Sequence, residues 1–177
     1  MKVSGLSLLE LLIVLTTIGI LLSAATPTMR DVVQDNHRAA RVNRLVHALH
    51  LARGESIKRA SEVAICKSVT GRDCESGNSL WGDGWIVFVN VDRDHPPRVD
   101  RGEDIILRER AALEMHISGN RHSFTFRPFY GRSTNGTIVF CDARGPRAAR
   151  AVIISHTGRP RVSDRRPDGR PLACTSR

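Results

Sequence analysis

The stretch GLSLLELLIVLTTIGILLSAATP, residues 5–27, is apolar apart from Ser, Thr and one charge, Glu10. Residues 6–25 make twenty positions, and about twenty residues at helical rise match the hydrocarbon core of a bilayer. Lys2 precedes them, so a secretory signal peptide is the first alternative. The apolar run exceeds an ordinary signal core, however, and no small-x-small cleavage site follows in frame. A membrane-spanning helix fits better. Glu10 then needs a partner, because a carboxylate deep in lipid costs at least about 2.5 kcal/mol. A cut after Gly5 would put a new amino group on Leu6, a little over one helical turn from Glu10. In a stack of such helices, one subunit's carboxylate could neutralise its neighbour's terminal amine.

Outward from this segment, Pro27 removes a backbone donor and crowds the preceding turn, so a kink is expected there. Beyond it Val42, Leu45, Val46, Leu49 and Ala52 recur at helical spacing, with Arg38, Arg41, Arg44 and Arg53 largely between them. This predicts an amphipathic helix continuing to about Ala60, with its apolar stripe on a sheet. From Glu62 onward the chain reads as short strands rich in Val, Ile and Phe, over 63–67, 85–91, 105–110, 113–118, 123–126, 136–141 and 149–155. Clusters of Gly, Asn, Asp and Pro separate them. A long helix followed by strands, without alternating helices, argues an α+β fold with an antiparallel head. The length of 177 residues suits one domain with an appendage.

The opening stretch resembles the class III signal of type IV pilins and pseudopilins: a short basic leader, Gly5 at the cleavage site, Glu10 at the fifth mature position, and Pro27 where such helices kink. Leu6 stands where phenylalanine is usual. With WGDGWIVFVNVD, EDIILRE, GTIVFCD and AVIISHTGRPR in the head, the chain resembles the FimT/GspH family, which joins minor pilins of type IV pili to a minor pseudopilin of type II secretion. The resemblance implies a leader at 1–5, a membrane and filament-core half of the helix at 6–27, an amphipathic half at 28–62 and a β-rich head at 63–177. It also implies a prepilin peptidase that cuts between Gly5 and Leu6 and methylates the new terminus. The protein would be anchored once in the inner membrane with its head in the periplasm, then join other pilins in a surface filament.

Cys66, Cys74, Cys141 and Cys174 all fall in this head, and an even number in an oxidising compartment suggests two disulfides. Of three possible pairings, Cys66 with Cys74 and Cys141 with Cys174 each closes a continuous stretch. No C-x-x-C spacing supports zinc or thiol redox chemistry. His47 and His50 are three apart on the helix but lack a third ligand. The loop VDRDHPPRVDRGED, residues 91–104, has carboxylates for calcium but not the glycine of an EF-hand loop, and it intersperses positive groups. It reads as a solvated hairpin loop. No nucleophile elbow, Walker loop or HExxH is present, so neither an enzyme nor a cofactor is expected.

Charge is unevenly distributed. The formal net charge is +9; residues 1–120 hold 15 charges of each sign, whereas residues 121–177 hold 12 arginines against Asp142, Asp164 and Asp168. Such a field favours polyanions such as nucleic acid or anionic lipid, the alternative being a solubilising surface. If 149–155 is a strand and Thr157-Gly158 a turn, Arg159 and Arg161 should project to one side, about 7 Å apart, near the spacing of successive phosphates. Arg165, Arg166 and Arg170 would extend the patch, with Arg147 and Arg150 as further candidates.

Gly158 to Arg161, GRPR, also resembles a G-R-x-R element of family members that serve as DNA receptors in natural transformation. That resemblance implies contacts to the DNA backbone, without sequence preference, by Arg159 and Arg161 first. The rival expectation is a structural tip or priming pilin, or a secretion pseudopilin, whose arginines meet other subunits.

Overall fold

The computed structural model describes residues 7–111, 115–129 and 131–174, with backbone alone at 23–28. The leader expected at 1–5, with Gly5 and Leu6, lies outside the described residues. Two compact units result, divided between His37 and Arg38.

Helix α1, Leu8–Lys58, contributes to both units, and its helical backbone continues through Pro27. In the first unit, the side chains of residues 8–22 are all exposed, leucine, isoleucine and valine predominating. The hydroxyls of Thr16 and Thr17 donate to carbonyls one turn back, Thr16 to Leu12 at 2.9 Å and Thr17 to Ile13 at 2.7 Å. These polar groups are therefore satisfied within the helix itself. Among the described residues, no helix is long and apolar enough to cross a membrane. The span expected at 6–25 lies partly outside them.

Among its described residues the second unit, from Arg38, holds eight strands: β1 Glu62–Lys67, β2 Gly84–Asn90, β3 Ile105–Arg110, β4 His116–Gly119, β5 Ser123–Phe126, β6 Gly136–Cys141, β7 Arg150–Ile154 and β8 Pro160–Ser163. They form two four-stranded antiparallel sheets, ordered β3-β2-β1-β5 and β4-β6-β7-β8. The expected strand over 113–118 begins later, at His116, and residues 112–114 lie outside the described residues. Strand β8 escapes the sequence reading because PRVS holds a single strong β-former between proline, arginine and serine.

One core joins the helix to both sheets. Val42, Leu45, Ala48, Leu49 and Ala52 of α1 meet Val63, Ile65, Val87, Phe124 and Phe126 of the first sheet and Ile117, Ile138, Phe140, Val152 and Ile154 of the second. Strand alternation sends the intervening residues to the opposite faces. Ala64, Cys66, Ile86 and Phe88 make a second cluster beyond the first sheet. Cys141, Ala149, Ala151, Ile153 and Leu172 make a third beyond the second sheet.

The arginines on α1 do more than mark its polar face. Arg41 and Arg44 both reach Glu109 of β3, at 2.9 and 2.8 Å. Arg38 is buried and pairs with Asp142 at 3.2 Å. Asp142 also accepts from Arg144 at 2.7 Å, and this hydrogen bond, with Arg38 behind it, holds its carboxyl below the ordinary aspartate range.

Both disulfides are local staples. Cys66 pairs with Cys74 and Cys141 with Cys174. The second closes 33 residues and ties the tail to the end of β6, so that Leu172 is buried on the outer face of the second sheet. The tail is thus a strap, and its loop closure contributes about 3 to 4 kcal/mol on chain-entropy grounds.

Candidate nucleic-acid interface

The β7–β8 connection carries the first of the sequence-selected arginines. Arg159 N–H donates to Ser155 Oγ at 3.3 Å, Ser155 N–H to Arg159 O at 3.2 Å and Gly158 N–H to Ser155 O at 2.9 Å, closing a tight turn over 155–159. Gly158 has φ +71° and is buried; a Cβ there would meet Ser133 Oγ at 2.8 Å and the Phe126 ring at 2.9 Å. Glycine is required on both counts. Ser133 N–H donates to His156 O at 2.9 Å, so the turn is docked on the loop that follows β5. That loop is itself closed by Thr134 N–H to Thr125 O at 3.0 Å and by paired threonine hydroxyls at 2.8 Å.

This docking frames a cavity of about 560 Å³. The last turns of α1 supply Arg53 and Ile57, the loop after β5 supplies Arg127, Phe129 and Arg132, and the turn supplies His156 and Arg159. Among the described residues, four arginines line it and no carboxylate does. Arg127 donates to the buried Glu62 at 2.9 Å. Among the described residues, the guanidinium groups of Arg53, Arg132 and Arg159 have no carboxylate partner. Phe129, at φ +58°, is 72% exposed at the mouth.

Arg161 is not among the described residues that line this cavity. In the β7–β8 register Arg161 stands opposite Ile153, and paired residues share a sheet face. Ile153 belongs to the outer cluster under the tail, whereas Arg159 belongs with α1.

Arg165, Arg166 and Arg170 are exposed on a second turn. Arg166 N–H donates to Arg170 O at 2.9 Å, Gly169 N–H to Arg166 O at 3.0 Å, and Arg165 Nη1 to Gly169 O at 3.3 Å. Arg170 lies 3.6 Å from Asp168. Arg166 and Asp168 together line a cavity of about 480 Å³ above Asn120 and Thr137. These arginines therefore do not continue the Arg159 cavity. Arg147 is exposed in the β6–β7 connection, and the half-buried Arg150 donates to Ala149 O at 2.9 Å.

Asp92, Asp94 and Asp100 bring carboxylate oxygens within 4.8 Å of one another. Asp92 and Asp94 already accept backbone N–H groups of their own loop, from Asp94 and Arg98 at 3.2 Å each. His47 and His50 join no such group among the described residues.

With this geometry in view, comparison with known proteins is informative. Residues 41–158 match the family model described as "Type II transport protein GspH". Two crystal forms of the type IV minor pilin FimU of Pseudomonas aeruginosa match this chain. In one the match has a TM-score of 0.50 and 18% identity, over 80% of this chain and 98% of that one. The other has a TM-score of 0.47 and 19% identity, over 72% and 91%. No curated protein matches the chain.

Proposed function

We propose, on the premise that this chain belongs to the GspH family of type II transport proteins and is a minor pilin or pseudopilin, that it binds DNA through the exposed arginines of its last third. The family is structural, not enzymatic. The observation that carries the DNA reading is the placement of the whole net charge. Residues 121–177 hold 12 arginines against three aspartates, and Arg159, Arg161, Arg165, Arg166 and Arg170 are all exposed.

Guanidinium groups fork onto phosphate oxygens, so these residues would hold the DNA backbone without reading its sequence. Arg159 and Arg161 come first, since Asp164 and Asp168 are interleaved with the other three. A single head should bind weakly, roughly at the 10⁻⁴ to 10⁻⁶ M typical of non-specific complexes. Several heads along a filament would raise the avidity. In this reading the protein serves DNA uptake in natural transformation.

The anchor follows the same proposal. The apolar surface over residues 8–22, with its threonine hydroxyls satisfied internally, suits lipid first and the core of a filament later. A prepilin peptidase would cut after Gly5, and Glu10 would neutralise the new amine of Leu6 on a neighbouring pilin. The head would lie in the periplasm before assembly and at the cell surface afterwards.

The test is DNA binding by the full chain in detergent across a salt series, beside an Arg159→Gln/Arg161→Gln variant. Affinity that falls with salt and is largely lost in the variant supports the reading. Absence of binding at the lowest salt overturns it in favour of a purely structural pilus or secretion subunit.

A further inference from the structure

We propose that the cavity between the end of α1 and the β7–β8 turn is a subsite for single-stranded DNA, with phosphates held by Arg53, Arg132 and Arg159 and a base stacked on Phe129. The inference rests on the DNA reading above and adds the form of DNA and the residues that select it.

Three features define the ligand. First, Arg53, Arg132 and Arg159 converge on one cavity from segments far apart in sequence, with no carboxylate among its described lining residues. Such a lining favours an anion, and several phosphate oxygens match three guanidinium groups better than a single carboxylate. Second, a volume of about 560 Å³ lies in the range of about 300 to 1,000 Å³ that holds small organic ligands, so the space takes a nucleotide unit rather than a bare phosphate. Third, apolar groups stand beside the cations: Phe129 is 72% exposed and Ile57 48% exposed. A planar base covers such groups, whereas an inorganic anion would leave them wet.

The combination discriminates between forms of DNA. A duplex offers its phosphates to exposed arginines, but its bases are stacked on one another and present no free face. A single strand or frayed end offers phosphate and base face together, as in other stacking sites for single strands. The other tail cavity differs: it pairs Arg166 with Asp168, and no aromatic lines it among the described residues. Sequence order conceals the aromatic, because Phe129 and Arg159 are thirty positions apart and line one cavity where the Ser133–His156 hydrogen bond and the seat of Gly158 dock their loops.

The experiment uses the full chain in detergent, a labelled oligothymidylate and a blunt duplex of equal length. Wild type, Phe129→Ala, Arg53→Gln/Arg132→Gln and Arg165→Gln/Arg166→Gln are compared. Loss of Phe129 or of the arginine pair should weaken oligothymidylate about tenfold and duplex by about twofold or less. Loss of Arg165 and Arg166 should weaken both forms alike. Phe129→Trp should keep the affinity, with its emission quenched by the bound strand. Phe129 is exposed, so its replacement leaves the core intact.

The subsite is refuted, and the DNA reading stands, if wild type binds DNA but the cavity variants leave oligothymidylate binding unchanged, or weaken both forms equally. If wild type binds neither form, the DNA reading falls and the subsite with it. Competition by inorganic phosphate as effective as that by thymidylate would also overturn the stacking role.

Discussion

Two arginine-bearing turns lie close together in the sequence and behave differently in the fold. At the β7–β8 turn, Arg159 joins Arg53 and Arg132 around a cavity with no carboxylate among its described lining residues. At the 166–170 turn, the arginines sit among Asp164 and Asp168, donate to their own backbone, and belong to a strap that covers the second sheet. The lesson concerns charge counting. A run of arginines measures local density, but the field at a site depends on which cations the fold leaves uncompensated and which distant ones it brings together.

Separating the two turns experimentally starts with the largest expected effect. Cys141→Ser/Cys174→Ser should lower unfolding free energy by about 3 to 4 kcal/mol in urea titrations, more than Cys66→Ser/Cys74→Ser, whose shorter loop is worth about 2 to 3 kcal/mol. The released strap should uncover Leu172 and the outer cluster, while the Arg159 turn, held by Ser133 and Gly158, keeps its DNA contacts. Equal loss of DNA binding and stability would show the two turns to be one unit.

Gly158→Ala should act on the other side of the comparison. A Cβ at positive φ against Ser133 and Phe126 should cost about 2 kcal/mol and displace Arg159. Thermal unfolding and DNA affinity should therefore fall together in this variant, and unchanged affinity would dissociate the turn from the site.

The smallest effect is an internal control on acid stability. Asp142 titrates below the ordinary value near 3.8, through Arg144 first and Arg38 after it. A depressed carboxyl contributes stability that is present above its unfolded pKa and lost as pH falls through its folded one. Unfolding free energy should therefore decline below about pH 4, and Asp142→Asn should flatten that decline.

The fold was largely legible, because its signals are periodic. The α1 stripe from Val42 to Ala52 and most strand segments follow from spacing and β-branched content, and chain continuity already favours the local cysteine pairings. The candidate site was legible only in part. Tail charge and the Gly158 turn mark Arg159, yet Arg53, Phe129 and Arg132 lie in stretches without any local signal. Only tertiary docking of two loops onto the helix end brings them together. Arg161 follows from the same tail charge but is not among the described residues that line the cavity.

If DNA is held by Arg159 and Arg161 at the start of β8, the salt dependence of duplex binding by the full chain will report it. Arg159→Gln/Arg161→Gln should weaken binding strongly and lower the slope of log affinity against log salt by about two. Arg165→Gln/Arg166→Gln should lower that slope by less than about one, since nearby aspartates already offset those cations. Equal slopes for both variants and wild type, or no duplex binding at low salt, would contradict the account.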